Sequence, residues 1–62
     1  MNNIVMILMT RDGMSADEAT ERLRDVQQRA KEALYDAEIV EELMADELGL
    51  ELDYIFDLLE DV

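Results

Sequence analysis

Cysteine, histidine and proline are absent from the chain, glycine occurs twice, and only five residues are basic. Without cysteine there are no disulfides or thiolate metal sites, and without histidine there are no imidazole ligands. A chain of 62 residues lies near the size at which one hydrophobic core barely offsets the entropy of folding. With crosslinks and metal staples excluded, self-association is the remaining ordinary support, and a homodimer is expected. Catalysis is poorly provided for. There is no histidine, no thiol and no glycine-rich phosphate loop, and the one serine, Ser15, is explained as a helix cap. A carboxylate-pair hydrolase needs a deep cleft that so short a chain scarcely encloses. The expectation is a protein that is not an enzyme and holds no cofactor and no metal.

Acid and apolar residues dominate what is present. Seventeen acidic against five basic residues give a net charge of -12, which repels nucleic-acid phosphates and anionic membranes. No direct nucleic-acid partner and no membrane association are expected. Half of the residues are apolar, too many for a disordered acidic tail. The apolar run Ile4 to Met9 is too short to span a bilayer and lacks the flanks of a signal peptide. A cytoplasmic location follows as the expectation.

Gly13 and Gly49 are the only strong breakers, and they divide a single domain, residues 1–62, into helical pieces. The first piece runs from Asn2 or Asn3, a possible N-cap, to about Arg11, with Gly13 ending it. A helix is the reading. A strand competes with it, because Ile4, Val5 and Ile7 are β-branched and a short apolar run does not identify its own period. Ser15 and Glu18 have the spacing of a capping box, so a second helix is expected from Ala16. Its stripe is Ala19, Leu23, Val26, Ala30, Leu34 and Ala37, with Tyr35 closing the packed face and Glu18/Arg22 and Asp25/Arg29 paired outside it. Asp36 is the expected N-cap of a third helix that Gly49 stops, although the second and third could also run on as one bent helix. Asp53 is the expected cap of a last short helix through Leu59. The fold class is all-α, a small bundle of three to four helices.

Ala45, Gly49 and Ile55 have the spacing of the small residue, turn glycine and buried β-branched residue of a helix-turn-helix unit. An ordinary helical hairpin explains them equally well. DNA reading fails in either case, because the last helix carries Asp53, Asp57, Glu60 and Asp61 and no basic residue. The acids Asp46, Glu47, Glu51 and Asp53 around Gly49 do not follow the calcium-loop pattern.

Charge is divided between the halves of the chain. Residues 36–62 hold eleven acids and no base, and Glu38/Glu42 and Glu42/Asp46 are like charges one helical turn apart. Such an array serves as a mimic of nucleic-acid phosphates, steers the chain toward a basic protein, or only keeps it soluble. The expected partner-binding set is Glu38, Glu41, Glu42, Asp46, Asp53 and Asp57 around the apolar anchors Tyr54 and Phe56. Apolar residues in excess of one small core, with adaptable methionines among them, place an oligomer interface at Ile4, Val5, Ile7 and Leu8. Were the first piece a strand, two copies could pair there as in a ribbon-helix-helix dimer.

Arg11-Asp12-Gly13-Met14-Ser15 with Glu18-Ala19, and Glu47-Leu48-Gly49-Leu50-Glu51 with Asp53 to Leu59, resemble segments of small acidic proteins of unknown function encoded by bacteriophages and prophages. The likeness covers both ends and leaves the middle open. It implies no catalytic residues. It implies a context in which a small acidic protein binds and inhibits a host protein; the alternative reading, apart from the resemblance, is a structural or assembly subunit acting through self-association.

Overall fold

Asn2 opens the first helix, because its side-chain Oδ1 accepts the Ile4 N–H at 2.8 Å and so satisfies one of the unpaired donors of the first turn. In the computed structural model, which describes residues 2–60, this helix is α1, Asn3–Asp12. Asp61 lies outside the described residues. The β-branched residues of the run are therefore helical, and Gly13 ends α1 at φ 70°, a left-handed conformation that costs glycine nothing in sterics. The capping box forms as its spacing requires. The Glu18 N–H donates to Ser15 Oγ at 3.1 Å, and the Ser15 N–H to Glu18 Oε1 at 3.4 Å, which starts α2, Ala16–Glu32.

The third helix, α3, spans Ala37–Leu43, and Asp36 Oδ1 caps it by accepting the Glu38 and Ile39 N–H groups at 3.0 and 3.2 Å. It passes without a break into a π-helical segment, Met44–Leu48, which Gly49 ends at φ 63°. A 3-10 turn at Leu52–Tyr54 then leads into α4, Ile55–Leu58. Neither of these last elements has a side-chain cap. The expectation that Asp53 caps the final helix is thus corrected: Asp53 lies inside the 3-10 turn, where its own backbone is already helical. Among the described residues there is no strand.

One core holds the elements together. Ile4, Val5 and Leu8 of α1 meet Ala19, Leu23, Val26 and Ala30 of α2, and the layer is closed by Val40, Leu43, Met44, Leu48 and Leu58. The alanines Ala19 and Ala30 are fully buried, which is where small side chains let neighbouring helices approach closely. The dimer interface expected at Ile4, Val5, Ile7 and Leu8 is accordingly corrected for three of its members. Ile4 and Leu8 have no exposed surface and Val5 only 4 %, so their apolar area is already used within the chain, and Ile7 alone is half-buried.

The stripe of α2 also ends earlier than its spacing predicts. Leu34 is 88 % exposed and Tyr35 53 % exposed, and Ala37 is exposed as well. The cause is a reversal without glycine. Leu34 and Tyr35 sit at φ 55° and 56°, and the turn is closed by Tyr35 N–H to the Ala30 carbonyl at 2.9 Å and Asp36 N–H to the Ala33 carbonyl at 3.1 Å. The second and third helices are therefore separate, with Asp36 as the cap of the third, and do not run on as one bent helix. Each left-handed L-residue costs about 1–2 kcal/mol, and Leu34 recovers little of that by burial. Replacing Leu34 with Gly should raise stability by up to about 1 kcal/mol, read as a higher urea midpoint at unchanged slope. A lower midpoint would show that the Leu34 side chain is held by packing.

Candidate functional site

Three of the five basic residues, Arg11, Arg22 and Arg29, are brought by the fold to one end of the acidic half. Arg11, in the last turn of α1, donates from Nη2 to the Leu48 carbonyl at 2.6 Å and from Nη1 to the Gly49 carbonyl at 3.1 Å. Arg22 donates from Nη1 to the Glu47 carbonyl at 3.2 Å, and Arg29 Nη1 lies 3.0 Å from Glu47 Oε1. Three guanidinium groups thus converge on the carbonyl end of the π segment, where the helix dipole favours positive charge. This corrects the expected Glu18/Arg22 pair. Glu18 turns back to its own capping box, and Arg22 reaches across to the π segment instead. The Asp25/Arg29 pair is present at 3.7 Å, with Arg29 shared toward Glu47.

Arg11 is held in place by Asp12, which accepts from Nε and Nη2 at 2.8 Å each. Those hydrogen bonds lower the Asp12 carboxyl below its ordinary value and raise the Arg11 guanidinium above its own. A carboxyl whose value is depressed by folding contributes stability above its unfolded pKa and loses that contribution as pH falls through the folded one. The Arg11 guanidinium also packs on Gly49, where an added Cβ would lie 3.4 Å from both terminal nitrogens. Arg11→Met should lower the urea midpoint, and Arg11→Lys should recover only part of the loss, because an ammonium cannot fork between Asp12 and two carbonyls. Equal midpoints for the two variants would show that the fork is immaterial.

The first and last elements are joined by amides. Asn2 Nδ2 donates to the Asp57 carbonyl at 2.7 Å and to Glu60 Oε2 at 2.9 Å, and Gln27 Nε2 donates to the carbonyls of Leu58 at 2.8 Å and Glu60 at 2.6 Å. The long-range bonds of Arg11, Asn2 and Gln27 were not marked out by the sequence, since a lone polar residue carries no spacing signal for a partner 31 to 58 positions away.

The expected partner-binding residues fall into two groups. Glu38, Glu41, Glu42 and Asp46 are exposed along α3 and the π segment, and Glu42 and Asp46 line a shallow groove with Ile39, Leu43, Arg29 and Glu47. None of the four, nor exposed Asp53, takes part in an ion pair among the described residues. Phe56 is 80 % exposed. Two members differ from the expectation. Tyr54 is half-buried and packs against the core, and Asp57 Oδ1 accepts the Asn3 N–H at 3.4 Å, at the positive end of α1. Their chemistry is engaged within the chain.

Among the described residues no group of three or more acidic side chains is arranged to hold a metal ion, and no helix is long and apolar enough to cross a membrane. These features define a small all-α protein with an exposed acidic helix face. Comparison with known proteins gives no matching family model, no matching curated protein and no matching solved structure.

Proposed function

We propose that the protein is a small acidic interaction module that engages a basic protein through the exposed carboxylates of α3 and the π segment. One observation carries the reading. Arg11, Arg22 and Arg29 are all directed to the Glu47–Gly49 end, while Glu38, Glu41, Glu42 and Asp46 form no ion pair among the described residues and share one run of helix despite their mutual repulsion. An array retained against that repulsion fits a partner that neutralises it. Long-range attraction of opposite charge sets the association rate, and apolar contacts hold the complex once formed. The resemblance to small acidic phage-encoded proteins adds that the partner is a host protein with a nucleic-acid-binding surface, met in the cytoplasm.

The test is capture from bacterial lysate with tagged wild-type protein and with the Glu41→Gln/Glu42→Gln/Asp46→Asn variant, at low and high salt. The expected result is a basic protein retained by the wild type at low salt and lost in the variant and at high salt. Equal capture by both proteins would contradict the reading.

A further inference from the structure

Two neighbouring concavities meet at Tyr35 and Leu59, which line both. On the α2 side the lining includes Arg24 and Lys31. On the α3 side it is apolar, with Ala37, Val40, Leu52 and Ile55 as its other members. The segment that closes this second groove carries Leu52, Ile55, Phe56 and Leu59 at i, i+3, i+4 and i+7, the spacing that puts apolar side chains on one helical face. Leu52, Phe56 and Leu59 are 42 %, 80 % and 54 % exposed, so the described residues leave that face open.

Charge runs across this surface in one direction. Lys31 stands at its α2 end and takes part in no ion pair among the described residues. Glu41, exposed and one turn on from Ala37 along α3, stands at the other end, in a stretch, residues 36–62, that holds no base. Leu34 lies beside Lys31, its N–H donating to the Lys31 carbonyl at 2.9 Å, and is 88 % exposed. The surface thus has an apolar knob with a cation next to it and an apolar hole with an acid at its rim.

We infer that this surface is a self-association face, on which a second copy of the chain docks about a two-fold axis near Tyr35 and Leu59. A partner helix of one charge sign matches only one end of the surface. A second copy turned about that axis presents the same features in reverse order, as an isologous contact requires. Leu34 of each copy then meets the apolar groove of the other, and Lys31 of each faces Glu41 of the other. The lysine lays its methylene stem on the apolar wall while its ammonium reaches the carboxylate. Repulsion between two chains of net charge -12 is screened beyond about 8 Å at physiological ionic strength, and these contacts lie inside that range. A left-handed leucine kept at the surface fits this use, because backbone strain is retained where the local geometry serves a contact. Glu42 and Asp46 line a different groove of α3, so the dimer leaves them open and the inference is independent of the acidic-module reading. A contact confined to one face of so small a chain belongs with the weak, exchanging class, and urea titrations of Leu34 variants, run dilute, report the monomer.

Sedimentation equilibrium over a concentration series tests the face, with each variant checked for folding by its thermal transition. Wild type should dimerise with a dissociation constant of about 1 mM or tighter, and Leu34→Ser and Leu59→Ser should each weaken it about tenfold. Lys31→Glu and Glu41→Lys should each weaken it about tenfold as well, because each places like charges across the contact twice. An equimolar mixture of those two variants should recover association to near the wild-type level, since the mixed dimer restores both unlike pairs. A wild type that stays monomeric at about 1 mM would overturn the proposal. So would a dimer indifferent to Leu34→Ser and Leu59→Ser, which places the contact elsewhere. A dimer that Lys31→Glu weakens and Glu41→Lys strengthens would overturn it too, because that is a response to net charge and not to a pairing.

Discussion

Replacing Leu23 with Ala should remove a large share of the folding free energy, read as a much lower urea midpoint. Leu23 lies midway along α2 and has no exposed surface, and it belongs to the cluster that joins α2 to α1, α3 and the π segment. Truncating a buried leucine costs about 2–5 kcal/mol, the cavity included. At about 0.05–0.15 kcal/mol per residue, a chain of 62 residues has roughly 3–9 kcal/mol in all, with no disulfide to limit the unfolded state. The same substitution at Leu34, which is 88 % exposed, should change stability by less than about 0.5 kcal/mol. Far-ultraviolet circular dichroism during urea titration separates the two. Similar losses in both variants would contradict the assignment of the core.

Most helix boundaries were legible in the sequence because they depend on short-range chemistry. Ser15 with Glu18, Asp36 before Glu38, and the two glycines each specify a backbone hydrogen bond or a φ angle within a few residues, and each does so in the fold. Leu34 and Tyr35 were not legible as a turn. Neither residue favours the left-handed region, so only the return of α3 onto α2 accounts for it. The burial of Ile4, Val5 and Leu8 was likewise hidden. A run that is apolar all round shows which residues seek burial and not which face meets the rest of the chain, and here α1 lies against both α2 and α4. Of the candidate site, the acids of α3 were readable as an exposed row, since unlike pairs were missing from the sequence around them. The intramolecular use of Asp57 and Tyr54 was not, because it depends on where the chain ends meet.

Removing charge from α3 should make the protein more stable and less able to bind. Glu38/Glu41, Glu38/Glu42 and Glu42/Asp46 are like charges three or four positions apart on exposed helix, each costing roughly 0.2–0.5 kcal/mol. The Glu41→Gln/Glu42→Gln/Asp46→Asn variant relieves all three. A gain of about 0.5–1.5 kcal/mol follows, smaller in high salt, where the wild type is screened already. Glu38 is left in place because it lies in the first turn of α3, where an acid is favourable. Partner affinity should fall by about tenfold or more, chiefly through slower association. A surface retained only for solubility would show the first effect without the second.

Urea unfolding and binding to the captured basic protein, measured on the same preparation of this variant and of the wild type, test the account most directly. The expected result is a raised urea midpoint together with weakened, less salt-dependent binding. An unchanged affinity in a stabilised variant would contradict it.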